Sequence, residues 1–122
     1  MRPHEKLKVW KKAIDLSVSV YNTTESFPKR EWYGLAQQLR KAAVSVSSNI
    51  AEGAARRSKK EYLHFLAIAL GSTSEVATQL LIAKRLGYME NDAYKSHYRA
   101  TDEIGKMLNG LRKSVAPMSS YD

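Results

Sequence analysis

An all-α fold, an antiparallel up-down-up-down four-helix bundle, follows from three features of the sequence. Apolar residues recur three or four apart through most of the chain. No long stretch alternates with period two, and no Asn-Gly or Asp-Gly pair separates strand-like runs. Pro28, Ser58 and Gly87 punctuate the helical pattern, leaving segments joined by short turns, and short turns force antiparallel neighbours. The 122 residues support one domain of common size, spanning 1–122.

The first segment covers about 6–25, with Val9, Trp10, Ala13, Ile14, Leu16, Val20 and Tyr21 as its apolar set. Phe27-Pro28 ends it, because proline cannot continue a helix and disfavours the α region in its predecessor. The second covers about 31–55. Leu35, Leu39, Ala42, Ala43, Val46, Ile50 and Gly53 form one stripe, while the other side carries the small residues Val44, Ser47, Ala51 and Ala55. Small residues on two sides let two neighbours approach, one inside the subunit and one from another copy.

The third segment, about 59–86, opens on the capping box Ser58-Lys59-Lys60-Glu61 and closes on Gly87, which suits the left-handed residue after a helix. Its apolar positions cover well over half the circumference, more than one bundle face needs, so an oligomer is expected. The fourth covers about 92–115, with Tyr94, Tyr98, Thr101, Ile104, Leu108, Leu111 and Val115 on one side. Residues 116–122 read as a frayed tail.

Composition removes several function classes. The chain has no cysteine, which excludes disulfides, cysteine-ligated metals and cysteine nucleophiles, and fits a cytoplasmic location. No run of about 18 consecutive apolar residues is present, so no segment is expected to cross a bilayer. No membrane-surface role is expected either, since that wants a basic amphipathic helix with exposed Trp or Phe, and the helices are expected to turn their aromatics inward. The start, Met1 to Lys6, has no apolar stretch behind it and does not read as a secretory signal. Glu61-Tyr62-Leu63-His64 is the one Glu-x-x-His, where a di-iron bundle needs two, and Glu61 is assigned to a cap. No metal and no cofactor is expected. Neither G-x-S-x-G, a Walker A loop nor G-x-G-x-x-G occurs, so the chain reads as no enzyme.

Polar residues crowd two helical interiors, 45–53 and 71–75. Asn49, Glu52, Ser72 and Glu75 stand out. Buried polar groups usually satisfy one another, so a hydrogen-bonded network with Glu52 or Glu75 paired to Arg40 or Arg56 is the favoured reading, and a polar pocket the other.

The formal net charge is +8. Residues 1–60 hold thirteen basic and five acidic side chains; residues 61–122 hold seven of each. Such asymmetry points to a polyanion. Arg56, Arg57, Lys59 and Lys60 put four cations in five residues beside a helix N-terminus, a setting that suits phosphate. Together with Arg40 and Lys41 these are the expected nucleic-acid contacts. Arg2, Lys6 and Lys8 fall at the same bundle end as the 56–60 turn, and Trp10 and Tyr62 offer rings for stacking. The other aromatics are expected to point inward.

The sequence also resembles the bacterial four-helix-bundle family named for proteins encoded in intervening sequences of 23S rRNA genes. The resemblance is carried by Leu7-Lys8-Val9-Trp10 with Ala13, by Tyr21, and by Phe27-Pro28 with Glu31. It continues in Tyr33-Gly34-Leu35, Gln38, Arg40 to Ser45, Asn49-Ile50-Ala51-Glu52-Gly53, Arg57-Ser58, Glu61 and Phe65-Leu66. Ala69, Gly71-Ser72, Glu75 and Leu86-Gly87 complete it, over 7–115. It implies a homopentameric ring and kinship with accessory proteins of diversity-generating retroelements, basic pentamers thought to contact nucleic acid and a reverse transcriptase. Ala36 and Ser47 depart from the family pattern, which often has Thr and Pro there. A basic, non-enzymatic homo-oligomer that binds RNA or DNA is the expected function. A scaffold for a protein partner such as a polymerase or reverse transcriptase is the alternative.

Overall fold

The structure, a computed structural model, describes residues 1–117; of the tail expected at 116–122, positions 118–122 lie outside the described residues. Its elements are a 3-10 turn Pro3–Lys6, α1 Lys8–Thr24, a second 3-10 turn Lys29–Glu31, α2 Leu35–Ala54, α3 Lys59–Arg85 and α4 Asn91–Val115. No strand occurs among the described residues. Each helix packs on the next and α4 closes on α1, so the four form a square bundle with antiparallel neighbours. The α2–α3 seam is the most extensive and the α1–α4 seam the least. Leu16, Val20, Leu39, Val46, Ile50, Leu66, Val76, Leu80, Ile104 and Leu108 fill the axis, all but solvent-free.

Two helix starts differ from the sequence expectation. Helix α1 begins at Lys8, because Pro3 favours a 3-10 turn and Leu7 is extended. Helix α2 begins at Leu35, because Gly34 leaves helical geometry at φ −116°, ψ −112°. The Glu31 carboxylate instead caps that helix, accepting from the Leu35 N–H at 3.2 Å. At the other end of α3 the Schellman pattern closes on Gly87, φ +80°: its N–H reaches the Lys84 carbonyl at 3.0 Å and the Tyr88 N–H the Ala83 carbonyl at 2.9 Å. Helix α2 runs unbroken through Ser47, whose hydroxyl donates to the Val44 carbonyl at 3.2 Å.

Helix α3 also departs from expectation in its hydropathy. An 18-residue window of it averages 1.5, making it long and apolar enough by composition to cross a membrane. Gly, Ser and Thr interrupt its apolar residues while adding almost no charge, so no unbroken apolar run marks it in the sequence. In the bundle this helix packs against both α2 and α4, with Leu66, Ala69, Val76, Leu80 and Ala83 in the core.

The α2–α3 register follows three crossings. Gln38 meets Gln79 at 3.5 Å, Ser45 meets Ser72 at 2.8 Å, and Gly53 faces Phe65. At the last, a Cβ on Gly53 would sit 2.9 Å from the Phe65 Cβ, closer than atoms tolerate, and a tight 3.3 Å from the Tyr62 carbonyl oxygen. Gly53→Ala is therefore expected to lower stability by roughly 1–3 kcal/mol through overpacking. Gly110→Ala, where the added carbon meets nothing within 4 Å, should raise it by about 0.5–1 kcal/mol through helix propensity. Urea midpoints at one fixed protein concentration decide between these signs.

Candidate nucleic-acid interface

The turn between α2 and α3 is built by local hydrogen bonds. The Ala55 N–H donates to the Ala51 carbonyl at 3.2 Å and the Arg56 N–H to the Gly53 carbonyl at 3.0 Å, winding down α2. Ser58 is extended, φ −79°, ψ 130°, and its hydroxyl accepts from the Glu61 N–H at 3.2 Å, starting α3. The side chains of Arg56, Lys60, Glu61, His64 and Phe65, with Ser58, surround an open cleft at this corner.

Arg56 is held in place. It donates to Glu52 at 2.6 Å, and its guanidinium lies 4.9 Å from the Phe65 ring centroid. Arg57, Lys59 and Lys60 form no salt bridge among the described residues. The turn thus presents three uncompensated cations and one fixed guanidinium around the first turn of a long helix. The chain start lies at this end, with the Pro3–Lys6 turn against α2 and Trp10 half-buried under His4, ring centroids 4.9 Å apart. Tyr62 is half-buried beside Gly53, and burial pushes its phenol above the ordinary value.

The structure does not bring Arg40 and Lys41 to this corner. Fourteen residues of helix, about 21 Å, separate Arg40 from the end of α2 at Ala54, and Arg56 lies two residues beyond that end. Lys41 is exposed there. Arg40 is engaged: its Nε donates to Thr24 Oγ1 at 2.8 Å, its Nη2 to the Tyr21 carbonyl at 3.2 Å, and its guanidinium stacks 4.6 Å from the Tyr21 centroid. Thr24 in turn donates to the Val20 carbonyl at 2.7 Å. Its neighbour Thr23 donates to His97 Nε2 at 3.0 Å, and His97 Nδ1 donates to the Ala93 carbonyl at 2.6 Å, which fixes the tautomer. Two adjacent threonines thus tie the end of α1 to α2 and to α4.

The polar residues of the family pattern separate into three sets. Asn49 donates to the Ser45 carbonyl at 2.8 Å and to its hydroxyl at 3.0 Å, and Ser45 meets Ser72, so Asn49 and Ser72 share one seam network. Glu52 pairs outward with Arg56. Glu75 accepts from Gln79 at 3.2 Å. Among the described residues no group of three His, Asp or Glu converges as metal ligands would.

Sequence reasoning missed a second surface. Trp32 and Tyr33 point outward at the end of the bundle that holds Arg40, against the expectation that these aromatics turn in. The short loop between Pro28 and Gly34 was the available signal, since a turn that tight leaves no room to bury two large rings.

The same fold occurs in a known protein. The model of the 23S rRNA-intervening sequence proteins matches residues 5–110. The chain belongs to this family. A solved protein of unknown function from the S23 ribosomal protein family of Bacteroides thetaiotaomicron shares the fold of this 23S rRNA-intervening sequence protein. It aligns with a TM-score of 0.80 at 24% identity, over 86% of this chain and 95% of that one. No curated protein matches.

The contacts of Arg40 generate a test. Arg40→Ala removes two hydrogen bonds and a stacked ring at a half-buried site and is expected to cost about 1–3 kcal/mol. Arg40→Lys recovers little, since a single ammonium cannot span both acceptors. Lys41→Ala should stay within about 0.5 kcal/mol of the parent. Thermal or urea unfolding reads all three.

Proposed function

We propose that this 23S rRNA-intervening sequence protein is a non-enzymatic, cytoplasmic homo-oligomer that binds the backbone of RNA or DNA, and that its copies close into a pentameric ring. The observation that carries the reading is the α2–α3 turn. Arg57, Lys59 and Lys60 stand there without carboxylate partners, around the first turn of α3, and Arg56 is aimed by Glu52 and Phe65. Phosphate oxygens are the natural complement of that arrangement, because charge-assisted hydrogen bonds need fixed donors and an anion. In a pentamer the formal +8 of each copy becomes about +40.

The oligomer is supported by the solvent side of α3. Between His64 and Arg85 its exposed residues are Ala67, Ile68, Gly71, Ser74, Glu75, Thr78 and Ile82, so a single charge interrupts a small and apolar strip. A helix face of this kind is fit for another helix. The same strip supports the second reading, a scaffold whose partner is a different protein such as a polymerase or reverse transcriptase.

Two measurements test these statements. Anisotropy titrations of mixed-sequence RNA and DNA across a salt series should show affinity falling steeply with salt. In Arg57→Ala/Lys60→Ala the log–log slope should drop by about one for each phosphate that is no longer neutralised. No affinity at low salt sinks the nucleic-acid reading. Separately, light scattering of the parent should give several times 13.8 kDa, and Ile68→Glu/Ile82→Glu should shift the mass towards the monomer. A monomeric parent removes the ring.

A further inference from the structure

The loop between α1 and α2 displays aromatic rings that the fold itself does not use. Tyr33 is 90% exposed and Trp32 47%. Leaving the Tyr33 ring in water forgoes roughly 1.5–3 kcal/mol that burial would contribute.

The loop backbone that carries the rings is braced. The Glu31 N–H donates to the Pro28 carbonyl at 2.8 Å, the Trp32 N–H to the Lys29 carbonyl at 3.1 Å, and the Gly34 N–H to the Glu31 carbonyl at 3.0 Å. The Glu31 carboxylate holds both the Leu35 N–H and, at 2.9 Å, the Tyr88 hydroxyl. Beneath, Phe27 is buried with its ring 5.4 Å from that of Tyr88.

Cations frame the rings. Trp32 and Tyr33 line one shallow groove with Arg40 and Glu25. The Lys29 ammonium lies 5.8 Å from the Trp32 centroid, and Arg40 covers Tyr21 next to it. Between positions 25 and 41 the chain has four cations and two carboxylates, and Glu31 is already committed to the loop. Exposed rings among cations are what unpaired nucleotides bind: each base has a face to stack, and each phosphate needs a countercharge. A duplex keeps its base faces inside the stack. A protein partner fits less well, because the cores of such interfaces are depleted of lysine and the exposed Lys29 stands beside the Trp32 ring.

We propose that Trp32 and Tyr33 form a stacking platform for unpaired bases of single-stranded nucleic acid, with Lys29, Arg30 and Lys41 on its phosphates. The proposal rests on the reading of the chain as a nucleic-acid binder but uses residues at the opposite end of the bundle from the 55–58 turn. It adds a preference for single strands that backbone contacts alone do not give.

The test titrates the full-length native protein with one mixed-sequence RNA, as a single strand and as a duplex, following anisotropy and tryptophan emission. Tyr33→Ala touches a side chain in open solvent and leaves folding intact. It should weaken single-strand binding about tenfold and leave duplex binding within twofold. Trp32→Ala should act likewise. Emission should be quenched by the single strand in the parent and not in Trp32→Phe, which retains only Trp10. Arg57→Ala/Lys60→Ala should weaken both substrates alike. If Tyr33→Ala has no effect, or an equal effect on both, the platform is wrong while backbone binding at the turn stands. If the parent binds neither substrate, both readings fall. If Tyr33→Ala lowers the oligomeric mass, the rings belong to a subunit contact and the platform is overturned.

Discussion

The close approach of α2 and α3 is the constraint on which the remaining architecture hangs. Gly53 lets the backbones meet where a single extra carbon would strike Phe65 and the Tyr62 carbonyl. That contact fixes how far α2 can run before the chain turns. It also places Phe65 under Arg56 and Ser58 at the start of α3. Further along the same seam Ser45 and Ser72 are within hydrogen-bond distance, so the register is set by a polar pair as well as by a steric one. Interdigitated leucines tolerate sliding by a turn. A glycine notch and a hydroxyl pair tolerate it much less, because a slip leaves buried hydroxyls without partners.

The sequence revealed the elements better than their edges. Hydrophobic period, the Ser58 cap and Gly87 located six of the eight helix boundaries within a residue, since each signal is local chemistry. The start of α2 was not legible. Glu31 looks like a helix-opening carboxylate, but it serves from outside the helix and also holds Tyr88, 57 positions away. No window of sequence contains that partner. Arg40 and Lys41 make the same point about the site. They are adjacent cations, indistinguishable by composition, yet one turns into the α1–α2 seam and the other into solvent. The four cations at 56–60 were easier to group, because a turn keeps near in space what is near in sequence. The polar cluster was half legible: the Glu52–Arg56 pair follows from helical spacing, whereas the Ser45–Ser72 contact needs the antiparallel register.

Membership in the 23S rRNA-intervening sequence family and the shared fold of a solved relative agree with the bundle. They leave the molecule's chemistry to its surface. That surface is divided. One corner of the bundle holds open cations at a helix start, one helix face is nearly free of charge, and the opposite end carries rings in water. Each patch is of a different physical kind, and none duplicates another.

The antiparallel topology has an electrostatic consequence. Every helix carries a macrodipole equivalent to about half an elementary charge at each end. Here two helices point up and two down, and each sits beside neighbours of opposite sense. Over the length of the bundle these dipoles cancel, so the backbone contributes almost nothing to the far field. What a distant polyanion feels is the side-chain distribution alone. The potential of this molecule can therefore be retuned residue by residue on its surface, without disturbing the helices that hold it together.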